Sequence, residues 1–104
     1  VFSNGGCPIM NAATEADDSF PALKNQVKKS FEQWMAKISA AILEGQQKGE
    51  IDKKVNAEQY ASLFIMLIEG GILLSKTMGD QSFLNHALDK IIYMIDHELN
   101  ILPS

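Results

Sequence analysis

Arginine is absent from all 104 residues, and the nine basic side chains, every one a lysine, face thirteen acids for a net charge of −4. Proteins that hold nucleic acid neutralise phosphates with Lys and Arg and read guanine chiefly with Arg, so this chain is poorly equipped to bind DNA or RNA by itself. Cysteine occurs once, at Cys7, which excludes an internal disulfide framework and fits a reducing, cytoplasmic setting. HExxH, CxxC, phosphate-loop and GxSxG patterns do not occur. Neither does a basic segment leading into a short apolar core of the secretory kind. The unbroken apolar run from Leu63 to Ile68 falls far short of the ~20 residues a bilayer needs, and Glu69 closes it, so no membrane association is expected. His86 and His97 return to nearly the same helical face but stand about 16 Å apart along the axis, too far to share a metal. No catalytic constellation, metal site or cofactor is therefore expected, and the chain is not read as an enzyme.

What is present is helical pattern. Hydrophobic residues make up 46% and charged residues 21%, which suits one packed domain over residues 1–104 and argues against disorder. No stretch alternates with period two for long enough to suggest a sheet, so the expected fold is all-α, an antiparallel bundle of about four helices. Pro8 suits the first position of a short helix over residues 8–17, and Pro21 restarts a helix reaching about residue 48, where Gly49 stops it. That long helix carries one apolar stripe, Leu23, Val27, Phe31, Trp34, Ile38, Ala41 and Ile42, opposite a lysine- and glutamate-bearing face. Asn56, with Gln59 three residues later, caps the third helix, which runs through residues 60–78; Gly79 and Asp80 separate it from the last, over residues 81–99.

The third and fourth helices are more apolar than one small domain can hide. Tyr60, Leu63, Phe64, Leu67, Ile68, Gly71, Leu74 and Met78 form one stripe of the third, yet Ile65, Met66, Ile72 and Leu73 lie off it. In the fourth, Ile91 to Ile95 are five apolar residues in a row. Two adjacent helices with such a surplus are what a symmetric dimer needs, each chain giving two helices to a four-helix interface. Within the third helix, Gly70 and Gly71 each cost about 1 kcal/mol relative to Ala, a loss best explained by close approach of another helix. Glu69 stands beside them on an otherwise apolar helix. Of its three readings, an edge in solvent, a pair, or a polar anchor inside a cavity, the first two are expected. Met10, Phe31, Trp34, Met35, Phe64 and Met66 fit either a packed core or a cavity for an apolar ligand, and periodicity does not separate these. A lone Cys7 before Pro8 is read as a small buried side chain rather than a redox centre.

In order and spacing the chain resembles the C-terminal regulatory domain of TetR-family transcriptional repressors. The resemblance rests on Gly6-Cys7-Pro8-Ile9-Met10-Asn11 followed by Ala12, Ala13 and Glu15, and on the Phe31-x-x-Trp34 helix ending in Gln46-Gln47-Lys48-Gly49-Glu50-Ile51. It continues through Ala57-Glu58-x-x-Ala61 and Leu67-Ile68-Glu69-Gly70-Gly71 before the last amphipathic helix. It implies a homodimer and a small hydrophobic effector, with operator DNA contacted only through an N-terminal helix-turn-helix domain that this chain lacks. The opening at Val1 fits the same expectation of a C-terminal part of a longer protein. By family position Met10, Phe31, Trp34, Met35, Phe64, Leu67 and Ile68 are expected to line the effector pocket. Leu74, Met78, Leu84, Leu88, Ile91, Ile92 and Ile95 are expected to form the dimer face. A second reading also stays open, a self-contained helical homodimer serving as an adaptor for another protein.

Overall fold

The computed structural model describes residues 21–100. Three α-helices follow one another: α1 Pro21–Gln47, α2 Ala57–Met78 and α3 Ser82–Met94, the last continued by a π-helical turn, Ile95–Leu99. Among the described residues no strand forms; a single antiparallel bridge joins Ile51 to Asn100. The helix expected over residues 8–17, with Cys7 and Met10, lies outside the described residues.

α2 is the central element, because it packs against both α1 and α3. Its start is local chemistry: the Asn56 side chain accepts a hydrogen bond from the Gln59 N–H at 3.0 Å, satisfying one of the free donors of the first turn. Its end is equally local. Gly79 takes the left-handed conformation, φ 65°, and its N–H donates to the Ser75 carbonyl. The chain turns at once into α3, whose first turn is capped twice. The Asp80 carboxyl accepts from the Ser82 N–H at 2.9 Å, a bond that holds its pKa below the usual carboxylate range, and the Ser75 hydroxyl accepts from the Leu84 N–H at 2.9 Å. One serine of α2 thus fixes where α3 begins.

The α1–α2 connection is held from α1. Gly49, φ 76°, makes the turn, and the Gly45 carbonyl accepts from the N–H groups of both Glu50 and Ile51. The Gln46 side-chain amide donates to the Asp52 and Val55 carbonyls at 3.0 and 2.9 Å, stitching the loop into the fold. The main core lies beside this loop: Ile42, Ala57, Phe64, Met94 and Leu99, ringed by Ile38, Ile51, Val55, Tyr60, Leu63, Leu67 and Ile91.

The last helix departs from an unbroken α-helix over residues 81–99. Past Met94 the pitch widens, so that the Asn100 N–H donates to the Ile95 carbonyl, five residues back. The Leu99 carbonyl then accepts from the Asp52 N–H at 2.8 Å, and its side chain is 2% exposed within the core. Leu99, at the end of the turn, faces inward, while Ile95, at its start, is exposed. Nearby, the Tyr60 phenol donates to Glu98 Oε1 at 2.7 Å, and this bond raises the phenol's pKa above 10.0.

Candidate functional site

α1 and α2 enclose a cleft of about 380 Å³ lined by Lys28, Phe31, Glu32, Met35, Ile65, Met66 and Glu69. Phe31 and Met35 stand four residues apart and so share one side of α1; Ile65 and Glu69 do the same on α2. The walls are aromatic, thioether and branched aliphatic groups, with Lys28 and Glu32 exposed at the rim. A second recess of about 470 Å³, lined by Glu32, Met35, Ala36, Ser39, Ala40, Leu43 and Glu58, extends the same groove along α1.

Glu69 is the chemical feature of this cleft. It is 5% exposed, and among the described residues neither carboxyl oxygen has a hydrogen-bond partner. This corrects the expectation that it sits at an edge in solvent or in a pair. At about 100° per residue, Glu69 falls on the same side of α2 as the buried Ala61, Ile65 and Ile72, the side turned to α1. Position on the helix thus decides its burial. A polar group taken from water without a partner costs free energy, and an ion costs far more.

The expected lining residues are distributed over the molecule. Phe31 and Met35 line the α1–α2 cleft; Trp34 and Phe64 line a different recess of about 540 Å³ with Ile38, Ile42, Ile51, Ile95 and Leu99. Leu67 borders a third, of about 300 Å³, along the α2–α3 seam with Gly70, Leu74, Phe83 and His86. Ile68 is half-buried, and Met10 lies outside the described residues. Ile65, which joins Phe31 and Met35, was signalled in the sequence only as an apolar residue off the main stripe of α2; Met66 was also among the large residues weighed for a cavity, but not among the expected lining residues.

The expected dimer residues divide between two environments. Leu74, Met78, Leu88, Ile92 and Ile95 are exposed, Met78 by 63% and Ile92 by 57%, and Leu73 and Tyr93 stand exposed beside them. Leu84 and Ile91 are half-buried within the chain, Leu84 against Gly71 and Ile91 against the core. A Cβ placed on Gly71 would lie 3.1 Å from both Leu84 Cα and Ala87 Cβ, so Gly71 is where α3 closes on α2. Among the described residues a Cβ on Gly70 would meet nothing within 4 Å; with Leu73 and Leu74 it occupies the more open sector of α2, which Met66 joins to the cleft beside α1.

Length and composition would also let α2 cross a bilayer, and only 33% of the residues in its most apolar stretch are buried in the chain. Its place between α1 and α3, with Glu69 buried halfway along, makes it the inner helix of a packed bundle. Both histidines are exposed; His97 lies 4.4 Å from the Tyr93 ring, centroid to centroid, and Lys90 Nζ sits 4.9 Å over that ring. Among the described residues no group of three or more His, Cys, Asp or Glu side chains is placed to hold a metal ion.

Comparison with known proteins follows the same lines. The crystal structure of a TetR transcriptional regulator from Chloroflexus aurantiacus J-10-FL superposes with a TM-score of 0.90 at 32% identity, over 94% of this chain and 50% of that one. A TetR-family transcriptional regulator from Cytophaga hutchinsonii shares the fold with a TM-score of 0.88 at 24% identity, over 94% of this chain and 48% of its own. In sequence the chain is 30% identical, over 99 residues, to the HTH-type transcriptional repressor DhaR of Mycobacterium sp. (strain GP1), covering 95% of this chain and 47% of that protein. The chain thus spans about half the length of the relatives it matches. The profile of the family described as "Tetracyclin repressor-like, C-terminal domain" matches residues 1–91, and the chain belongs to that family.

Proposed function

We propose that this chain is the effector-binding and dimerising domain of a transcriptional repressor. The observation that carries the proposal is the incomplete cover of α2. It is apolar nearly all round, yet two thirds of its most apolar stretch is unburied by its own chain. The uncovered surface has two parts with different shapes. Beside α1 it is a concave cleft sized for a small molecule, walled by Phe31, Met35, Ile65 and Met66. Beside α3 it is an exposed apolar face of Leu73, Leu74, Met78, Leu88, Ile92 and Tyr93, which suits the isologous contact of a two-fold dimer. DNA contact is assigned to a segment outside this chain, a reading that the lack of arginine and the acidic charge support. A small hydrophobic effector in the cleft would favour one arrangement of α1 against α2 over another. Operator binding then falls by population shift, in the cytoplasm where the operator lies.

Two measurements test this. Light scattering on the intact protein gives twice the chain mass, and Ile92→Glu gives monomer or unfolded chain, since it buries two unpaired acids across the two-fold axis; a monomer at micromolar concentration in the unaltered protein refutes the dimer. Calorimetric titration with a neutral aromatic probe, 1-naphthylmethanol, gives saturable binding that Met35→Trp abolishes by filling the cleft. Binding that ignores that substitution refutes the cleft.

A further inference from the structure

Resting on that reading of the cleft, we propose that Glu69 selects the effector's head group, and that the effector is an apolar or aromatic molecule carrying a cationic nitrogen with N–H donors. Glu69 is 95% removed from solvent, its two carboxyl oxygens are fully buried and lack partners among the described residues, and its side chain lines a cleft whose other lining, besides the rim, is Phe31, Met35, Ile65 and the exposed Met66. A site built this way discriminates by what it leaves unsatisfied. A ligand without donors leaves two buried acceptors unpaired, whereas an ammonium or amidinium group gives donors to both. Three further features fit a cation rather than a neutral hydroxyl. Two of the three ionisable lining residues, Glu32 and Glu69, are acids, and the one lysine, Lys28, is exposed at the rim. The Phe31 ring offers an aromatic surface on which a cation is stabilised. The whole chain is acidic, which favours the approach of cations. An anionic effector would be placed against a buried acid and is disfavoured.

The test uses one scaffold with three heads: 1-naphthylmethylamine, 1-naphthylmethanol and 1-naphthoate, titrated calorimetrically into the intact protein and into Glu69→Gln. The amine binds at least about tenfold more tightly than the alcohol, the difference one charge-assisted hydrogen bond makes, and naphthoate binds weakest. Glu69→Gln keeps the side chain's length and removes its charge; it erases the amine's advantage and leaves the alcohol within about threefold of its original affinity. Glu69→Met, of similar length, gives the same result and serves if the glutamine variant folds poorly. Equal binding of amine and alcohol to the unaltered protein overturns the proposal while the cleft stands, as does an amine preference that survives both substitutions. Failure of all three probes to bind, or binding indifferent to Met35→Trp, removes the cleft and the proposal together.

Discussion

Gly71→Ala sets two known effects against each other at one atom. Alanine is favoured over glycine in a helix interior by about 0.8–1.0 kcal/mol, so on propensity alone the variant is more stable. The added methyl, however, would stand 3.1 Å from Leu84 Cα, 3.1 Å from Ala87 Cβ and 3.3 Å from Leu84 Cδ1. Only the last of these can swing aside; the other two are backbone or fixed directly to it, so α3 must move bodily. It resists, because the Ser75 hydroxyl pins the Leu84 N–H and the Asp80 carboxyl pins the Ser82 N–H. Forcing an extra methyl into a packed contact costs about 1–3 kcal/mol. With a fixed backbone the upper half of that range applies, and after the propensity gain the variant is less stable by about 1–2 kcal/mol. Urea unfolding at one fixed protein concentration measures this as a lower midpoint with an unchanged slope. Ala87→Gly removes one of the two fixed contacts, so in a double-mutant cycle it costs less in the Gly71→Ala background than in the unaltered protein. If Gly71→Ala were neutral or stabilising, the close approach of α2 and α3 would not be the reason for the glycine.

Gly70→Ala has the opposite local balance: with nothing within 4 Å the chain's own fold gains about 1 kcal/mol, but the methyl enters the uncovered sector of α2, so the proposed dimer dissociates more readily. Sedimentation and urea unfolding should diverge in sign, and a dimer that is unchanged or tighter would place the partner elsewhere. Leu99→Ala removes a side chain 2% exposed among Ile42, Phe64 and Met94 and costs about 3–4 kcal/mol by urea unfolding; a loss below about 1 kcal/mol would mean that the π-helical turn is not what closes the core. In a Tyr93→Phe background the remaining Tyr60 titrates above 10.0, and Glu98→Gln brings it back toward that value in an absorbance titration. Because the folded-state value is raised, the bond's small contribution to stability is complete below about pH 10 and disappears as the pH rises through the raised value.

The parts of this fold that were readable in the sequence are those settled within a few residues. Asn56 and Gln59 cap α2 as their spacing predicts, and Gly79 ends it in the left-handed conformation, because each of these bonds closes inside one turn. The π-helical turn was not readable. Its stabilising bond, from the Asp52 N–H to the Leu99 carbonyl, joins segments far apart in the chain, and an α-periodic pattern through residues 95–99 fits either pitch. The site divides in the same way. Trp34 and Met35 are both large and apolar and were assigned to one pocket, but neighbours in a helix point about 100° apart. The structure puts Met35 beside Phe31 in the α1–α2 cleft and Trp34 beside Phe64 in another recess.

Glu69 follows from the same geometry and shows why composition alone misplaced it. An acid in an apolar helix is usually at an edge, since solvent can then hold its charge. On α2 the edge is occupied by other residues. Gly71 and Leu67 take the α3 side, Phe64 faces the core between α1 and α3, and Met66, Gly70, Leu73 and Leu74 take the sector left open. One side remains, toward α1, and Glu69 shares it with Ala61, Ile65 and Ile72. Met66 belongs both to the open sector and to the cleft wall, so a dimer formed over the open sector would border the cleft. An effector held by Glu69 would therefore meet the inner face of the helix whose outer face meets the partner. Any shift of α2 that the effector causes is then carried into the interface without passing through a loop.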